Sequence, residues 1–166
     1  MYVTVNIDSF DIYNIYFGDK QKNNIIDNCY FSNIYYSTHF YTLNNIVLSF
    51  KIELNTNNEH TGLAYFNTKS FENKKVFETI EKLEKIVLEY YNQTKQECSF
   101  QYSLTQQLER GYIKLQVPKK LKTMDILLRI SGIWENKNKE IGLIYKFLKV
   151  NSTNLDQTQK RYPCHT

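Results

Sequence analysis

Ile46-Val47-Leu48-Ser49-Phe50-Lys51-Ile52-Glu53-Leu54 is the stretch in which the chain declares its architecture most plainly. Ile46, Leu48, Phe50, Ile52 and Leu54 share one side of an extended backbone, and Ser49, Lys51 and Glu53 share the other. Successive side chains of a strand point to opposite faces, so this period of two predicts a strand with one buried and one wet face. One-sided burial of that kind belongs to antiparallel sheets, whose second face can meet water.

The same reading extends upstream. Residues 2–7 alternate, and residues 10–17 and 29–37 are rich in aromatic and β-branched types, so each is expected to be a strand. The polar run Gly18–Asn24 separates the last two as a turn. Downstream, residues 55–60 read as a loop and Leu63–Phe66 as a short strand. The period then changes. Val76, Ile80, Leu83, Val87 and Tyr90 recur at steps of three and four, which predicts a helix over about 70–91. Ser70 is its expected N-cap, Glu72 suits its first turn, and Asn92 is its expected stop. A shorter helix is expected over about 103–110, with Ser103 and Gln106 at capping-box spacing and Gly111 as the left-handed stop. Residues 112–117 read as a strand that Pro118 ends. Residues 125–134 and 141–149 read as paired strands around the polar turn Glu135–Glu140. The fold expected is therefore α+β: a mainly antiparallel sheet or partly open barrel packed on one long helix. Residues 1–150 form one domain on this reading, and residues 151–166 a polar tail.

Composition narrows the class further. A chain of 166 residues can bury roughly 70% of its unfolded surface, so it needs neither disulfide nor metal to hold a core. Five glycines and two prolines exclude collagen-like and Pro/Gly-rich chains, and 15% aromatic residues argue against disorder. The 14 tyrosines, 10 phenylalanines and abundant asparagine share AT-rich codons with Ile and Lys, so the bias itself is read as nucleotide composition. The start of the chain lacks the pattern of a signal peptide, and no apolar run reaches the ~18 residues of a membrane span. Cys29, Cys98 and Cys164 are odd in number and far apart, which suits free thiols. A soluble intracellular protein is expected.

Charge is uneven. Residues 1–65 hold Lys20, Lys22 and Lys51 against Asp8, Asp11, Asp19, Asp27, Glu53 and Glu59, a net −3. The whole chain is +4, which leaves +7 for the remainder. Arg110, Lys114, Lys119, Lys120 and Lys122 form the densest basic stretch, with no acid between them. It reads either as a solvated strand and loop or as a phosphate-contacting patch. Trp134, the one tryptophan, reads either as core or as a base-stacking ring beside a hairpin turn. Tyr36, on an early strand with Tyr30 and Tyr35, has the same two readings. His39, His60 and His165 are far apart and no C-x-x-C occurs, so no metal site is expected, and no cofactor or catalytic residue. Asp125 followed by Glu135-Asn136-Lys137 has the order of a metal-dependent nuclease constellation, but its second half falls in a turn where such residues are ordinarily solvated.

Several segments carry a resemblance. Asn14-Ile15-Tyr16-Phe17, Asn23-Asn24-Ile25-Ile26-Asp27-Asn28, Phe31-Ser32-Asn33-Ile34-Tyr35-Tyr36-Ser37 and Phe40-Tyr41-Thr42-Leu43-Asn44-Asn45-Ile46 come in one order near the start. Leu128-Arg129-Ile130-Ser131-Gly132-Ile133-Trp134-Glu135 and Gly142-Leu143-Ile144-Tyr145-Lys146-Phe147 follow near the end. Together they resemble a family of small proteins of large nucleocytoplasmic DNA viruses (giant viruses), and the Ile-Ser-Gly-Ile-Trp-Glu hairpin is the most specific part. The resemblance implies a viral accessory protein of the infected host-cell cytoplasm or the virion. The order of strands, helix and further strands is more loosely similar to viral OB-fold single-strand-binding proteins. The tail departs from the acidic tails of many such proteins, since it contains Lys160-Arg161.

The function expected is non-enzymatic binding of single-stranded nucleic acid, with Arg110, Lys114, Lys119, Lys120 and Lys122 on phosphates and Trp134 and Tyr36 stacking on bases. The alternative is a virion structural component or an interaction module whose partner is another viral or host protein. No membrane partner is expected, and an oligomer is compatible with either reading.

Overall fold

The computed structural model describes residues 4–6, 10–24, 28–55, 62–93, 98–115 and 121–150. The tail from residue 151 lies outside them. The chain is α+β, a curled, mostly antiparallel sheet forming a half-barrel, with two α-helices among the described residues. In order, the elements are β1 (Val5–Asn6), β2 (Ile15–Phe17), β3 (Gln21–Lys22), β4 (Tyr30–Ser37), β5 (Thr42–Asn44), β6 (Ile46–Glu53) and β7 (Leu63–Tyr65). After these come α1 (Phe71–Asn92), β8 (Ser99–Gln101), α2 (Ser103–Glu109), β9 (Tyr112–Lys114), β10 (Thr123–Glu135) and β11 (Glu140–Lys149).

The long strand β10 is the spine. One edge pairs antiparallel with β11 from Ile126 to Glu135. The other edge pairs with β6 from Thr123 to Ile130 and then with β4 from Gly132 to Glu135. The change of partner falls at Ser131, where the register with β11 slips between Ile130 and Gly132. An extra residue in one strand bends it and increases its twist, which curls the sheet here. Gly132 is required at this point. A Cβ on it would lie 2.4 Å from the backbone oxygen of Ser32 on β4. β4 continues past this contact to pair with β2 and β5, and Asn45, at φ +80, turns β5 into β6.

The core fills the concave face. Ile46, Leu48, Ile52, Ile126, Leu128 and Ile130 point into it from β6 and β10, and Ile34 and Tyr36 from β4. α1 lies across this face with Ile80, Leu83, Val87, Leu88 and Tyr91 buried. Burial of an aliphatic side chain of this size stabilises by roughly 1.5–3 kcal/mol. Three buried polar side chains tie the helix down near its start, past its middle and at its end. The amide of Asn73 donates to the backbone oxygens of Glu53 and Asn67, while its oxygen accepts from the Glu53 N–H at 2.8 Å. Glu84 accepts from the N–H groups of Leu104 and Thr105 at 3.0 and 2.8 Å, and from the Thr105 hydroxyl. The Tyr91 and Ser32 hydroxyls meet at 3.0 Å.

Several expectations change in detail. Residues 10–17 are not one strand, because the Asp11 side chain accepts from the Tyr13 N–H and caps a 3-10 turn over Ile12–Asn14. Short polar side chains compete with sheet pairing in this way. At the end of α1, Tyr91 rather than Tyr90 faces inward. Ser70 stands at the N-cap of α1, but its hydroxyl donates to Glu53. Asn92 is the last residue of α1, and Gln93 its C-cap. No capping box forms at Ser103. Tyr102 is the N-cap of α2, and Glu84, from another helix, meets its free N–H groups. A full carboxylate at a helix N-terminus is a stronger acceptor than a hydroxyl and is favoured by the helix dipole. Gly111, at φ +75, does follow α2 as the left-handed stop. The Tyr145 hydroxyl donates to the Ser103 carbonyl at 3.0 Å, tying α2 to β11. Burial pushes this phenol above its ordinary value of 10, and the charge of Glu84 adds to that shift.

Gly132→Ala should lower unfolding stability by about 1–3 kcal/mol, as overpacking a tight contact does, because backbone rather than a flexible side chain opposes the methyl. Chemical denaturation would show the midpoint moving down; an unchanged midpoint would contradict the close approach of β4 and β10.

Candidate functional site

The convex face of the sheet holds a cluster that the local periods of the chain do not reveal. β11 is regular, so Gly142, Ile144 and Lys146 share this face. Their partners on β10 are Trp134, Gly132 and Arg129. In an uninterrupted strand Arg129 and Trp134 would point to opposite sides, since one number is odd and the other even. The extra residue at Ser131 removes that difference and brings both onto the convex face.

Two rings on this face lie over glycines. The indole of Trp134 lies across Gly142, so closely that a Cβ there would meet its Cζ2 at 2.7 Å and its Nε1 at 2.8 Å. Phe31 on β4 stands opposite Trp134 on the other side. Farther along β4, Tyr35 is opposite Tyr16 on β2, and its ring reaches over Gly18. Trp134, Phe31 and Tyr35 are half-buried and Tyr16 is exposed, so rings held in place by the sheet still present surface to water. The cations come from the next rows. Arg129 faces Lys146 on one side and Val47 on the other. Its Nε is buried without a hydrogen-bond partner, and Lys146 is exposed. Lys146 stands four residues from Gly142 along β11, about 13 Å.

Among the residues expected to act together, the structure brings few together. Trp134 belongs to this face. Lys122 precedes the opposite end of β10, about 40 Å away along an extended strand. Arg110 is the C-cap of α2 and Lys114 ends β9; both are exposed. Lys119 and Lys120 lie outside the described residues. Tyr36 is only 3% exposed. Its ring stacks on Phe10 with centroids 5.6 Å apart, and its hydroxyl accepts from the Asp11 N–H and the Asn14 amide. Tyr36 is therefore a core residue that offers no open ring face. It shares the inward side of β4 with Ser32 and Ile34, whereas Tyr35 points outward. Arg129, Lys146 and Phe31 were missed. The available signal was that each cation interrupts an apolar run in a strand of the predicted hairpin.

The nuclease-like residues do not meet. Asp125 lies 4.0 Å from Lys51 on the convex face. Glu135 turns inward about 30 Å farther along the strand and pairs with Lys20 at 2.7 Å, whose ammonium also sits over the Tyr30 ring. Such a separation cannot hold one ion between them. Among the described residues no group of three His, Cys, Asp or Glu side chains is placed to hold a metal, and Cys29 is a free thiol. Among them, too, no helix is long and apolar enough to cross a membrane. No protein-family model, curated protein or solved structure matches this chain.

Gly142→Ala should lift the indole from its seat. Trp134 is the one tryptophan, so its fluorescence reports the change directly. The emission should shift to the red as the ring gains water, and an emission spectrum identical to that of the parent would refute the packing described.

Proposed function

We propose that this chain binds single-stranded nucleic acid on the convex face of its sheet, without catalysis, as a viral accessory protein. The observation that carries the reading is the bulge at Ser131, which gathers Trp134, Phe31, Arg129 and Lys146 onto one side of three adjacent strands. Unpaired bases offer a π-face to any exposed ring, while the rings of a duplex are already stacked on each other. Trp134, seated on Gly142 with Phe31 opposite it, loses little freedom when a base lies on it. Among the described residues no carboxylate pairs with Arg129 or Lys146, so a phosphate is the natural counter-charge. Contacts of this kind are tolerant of sequence, because they read ring faces and charge rather than base edges.

Titration of a single-stranded oligonucleotide should quench Trp134 fluorescence at low salt, and Trp134→Ala should weaken binding by about 1–3 kcal/mol, the worth of one stacked base. Each of Arg129→Ala and Lys146→Ala should flatten the plot of log affinity against log salt by roughly 0.7, one released counterion. Absence of binding at low salt would reject the reading.

A second reading draws on a different surface. Tyr13 and Phe40 are 82% and 92% exposed beside and at the tip of the β4–β5 hairpin, together with Tyr41. No Lys or Arg occurs from Asn23 to Phe50. Exposed aromatics without cations suit a protein partner better than a phosphate backbone. On this reading the chain is a virion component or an interaction module. The double variant Tyr13→Ser, Phe40→Ser should then lower its self-association in sedimentation velocity while leaving oligonucleotide affinity unchanged. A parent chain that is monomeric at all concentrations would remove self-association as the use of this surface.

A further inference from the structure

We infer that the ribbon β7–β9 is a second contact for the same single strand, so that one chain grips it near both ends of β10. The inference rests on the nucleic-acid reading above and adds to it the class of ligand: strands long enough to reach both contacts.

The ribbon repeats the chemistry of the first face in different residues. Ala64 pairs with Ile113, and both are buried in the core. Strand alternation therefore turns Leu63, Tyr65, Tyr112 and Lys114 to the opposite side. Tyr65 is paired with Tyr112, their rings 5.8 Å apart and inclined at 44°, and Leu63 is paired with Lys114. Tyr65 is 38% exposed and Lys114 is exposed. The backbones of two more cationic residues lie beside the ribbon, where it joins the main sheet. The Lys122 carbonyl accepts from the Leu54 N–H at the end of β6, and the carbonyl of Gly111, next to Arg110, accepts from the Phe66 N–H at the end of β7. Arg110, Lys114 and Lys122 come from a segment without a single acid. The charge complements a phosphate chain, and the paired rings offer it a stacking surface.

The two contacts lie on one continuous surface. Leu54 and Phe66 form a bridge between β6 and β7, and both are buried inward. Their outward neighbours thus extend the convex face of the main sheet into the outer side of the ribbon. Between the two contacts lie Lys51 and Asp125, close enough to offset each other. Glu53, on the same outward face and nearer the ribbon, accepts from the Ser70 hydroxyl, so the path is basic at both ends and carries one net negative charge in the middle. A strand held at one end brings its own phosphates to the other at a high effective concentration, commonly in the millimolar range.

The test is affinity against length, measured by anisotropy with labelled oligothymidylates from about 5 to about 40 nucleotides, a range that spans the usual site sizes. The parent chain should gain at least ~10-fold once the strand spans both contacts. The double variant Lys114→Gln, Lys122→Gln changes only exposed cations. It should bind the shortest strands as the parent does, with the same quenching of Trp134, and should lose most of the gain with length. The same gain in parent and variant would overturn the inference, because length alone then explains it. Quenching of Trp134 by short strands would persist in that case and leave the first face standing. A variant that binds every strand like its parent but loses self-association in sedimentation would also overturn it, assigning the ribbon to a protein contact. Failure of every strand to bind the parent would reject both readings.

Discussion

β10 has to change partners without breaking, and the contact between Gly132 and the carbonyl of Ser32 is where it does so. β6 occupies one edge as far as Ile130, and β4 takes over from Gly132. Two backbones approach there too closely for any side chain. Ser131 is the residue that the ladder leaves over, and its hydroxyl donates to the Ile144 carbonyl. The consequences run to both faces. On the concave side, the inward set of β10 passes from Ile126, Leu128 and Ile130 to Ile133, so the core continues across the kink. Ser32, turned inward by the same pairing, reaches Tyr91 and so fixes the last turn of α1. On the convex side, Trp134 and Arg129 come to share a face.

α1 carries a second constraint. Its buried positions include Asn73 and Glu84 as well as apolar residues, and each finds partners that the backbone leaves unsatisfied. Asn73 meets both backbone groups of Glu53, where β6 has run out of neighbouring strand. Glu84 meets the first N–H groups of a helix only seven residues long. So short a helix has little stability of its own, and nearly all of it must come from packing and from such a cap. The position of α2, and through it of β9 and the ribbon, thus depends on one carboxylate in the apolar stripe of another helix. Removing that carboxylate would leave two buried N–H groups unpaired, which costs more than the bonds are worth on balance.

How legible each part was in the sequence follows from the range of the interaction behind it. The run Ile46–Leu54 and the stripe Ile80–Leu83–Val87 depend on local period, and both elements stand close to where that period puts them. β3, β5 and β8 have two or three residues each, too few for a period to register. Glu84 sits at i+4 from Ile80 and i−3 from Val87, so its intrusion into the stripe was visible; its partner, twenty residues away, was not. Tyr36 and Tyr35 alternate on one strand, and choosing the outward ring needed the pairing with β2 and β10. The convex face was the least legible part. Parity along β10 separates Arg129 from Trp134, and only the irregularity at Ser131 reverses that. Gly132 was its local trace, since a glycine inside a strand pattern marks a bulge or a close approach.

Charge completes the picture in a way that the total of +4 conceals. The aromatic lobe built by β2, β4 and β5 is nearly free of cations, and its exposed rings stand beside Asp11. Cations instead gather at Arg129 and Lys146 on one part of the convex face, and at Arg110, Lys114 and Lys122 around the ribbon. Unpaired like charges kept apart in this way repel one another little, because salt screens exposed charges beyond about 10 Å. A single dense patch would have raised that repulsion and drawn any polyanion to one point. The two smaller patches each have rings beside them, and Lys51, Asp125 and Glu53 lie between them. The abundance of tyrosine in the chain therefore says little, whereas the placement of particular rings beside particular cations distinguishes the convex face and the ribbon from the cation-poor lobe.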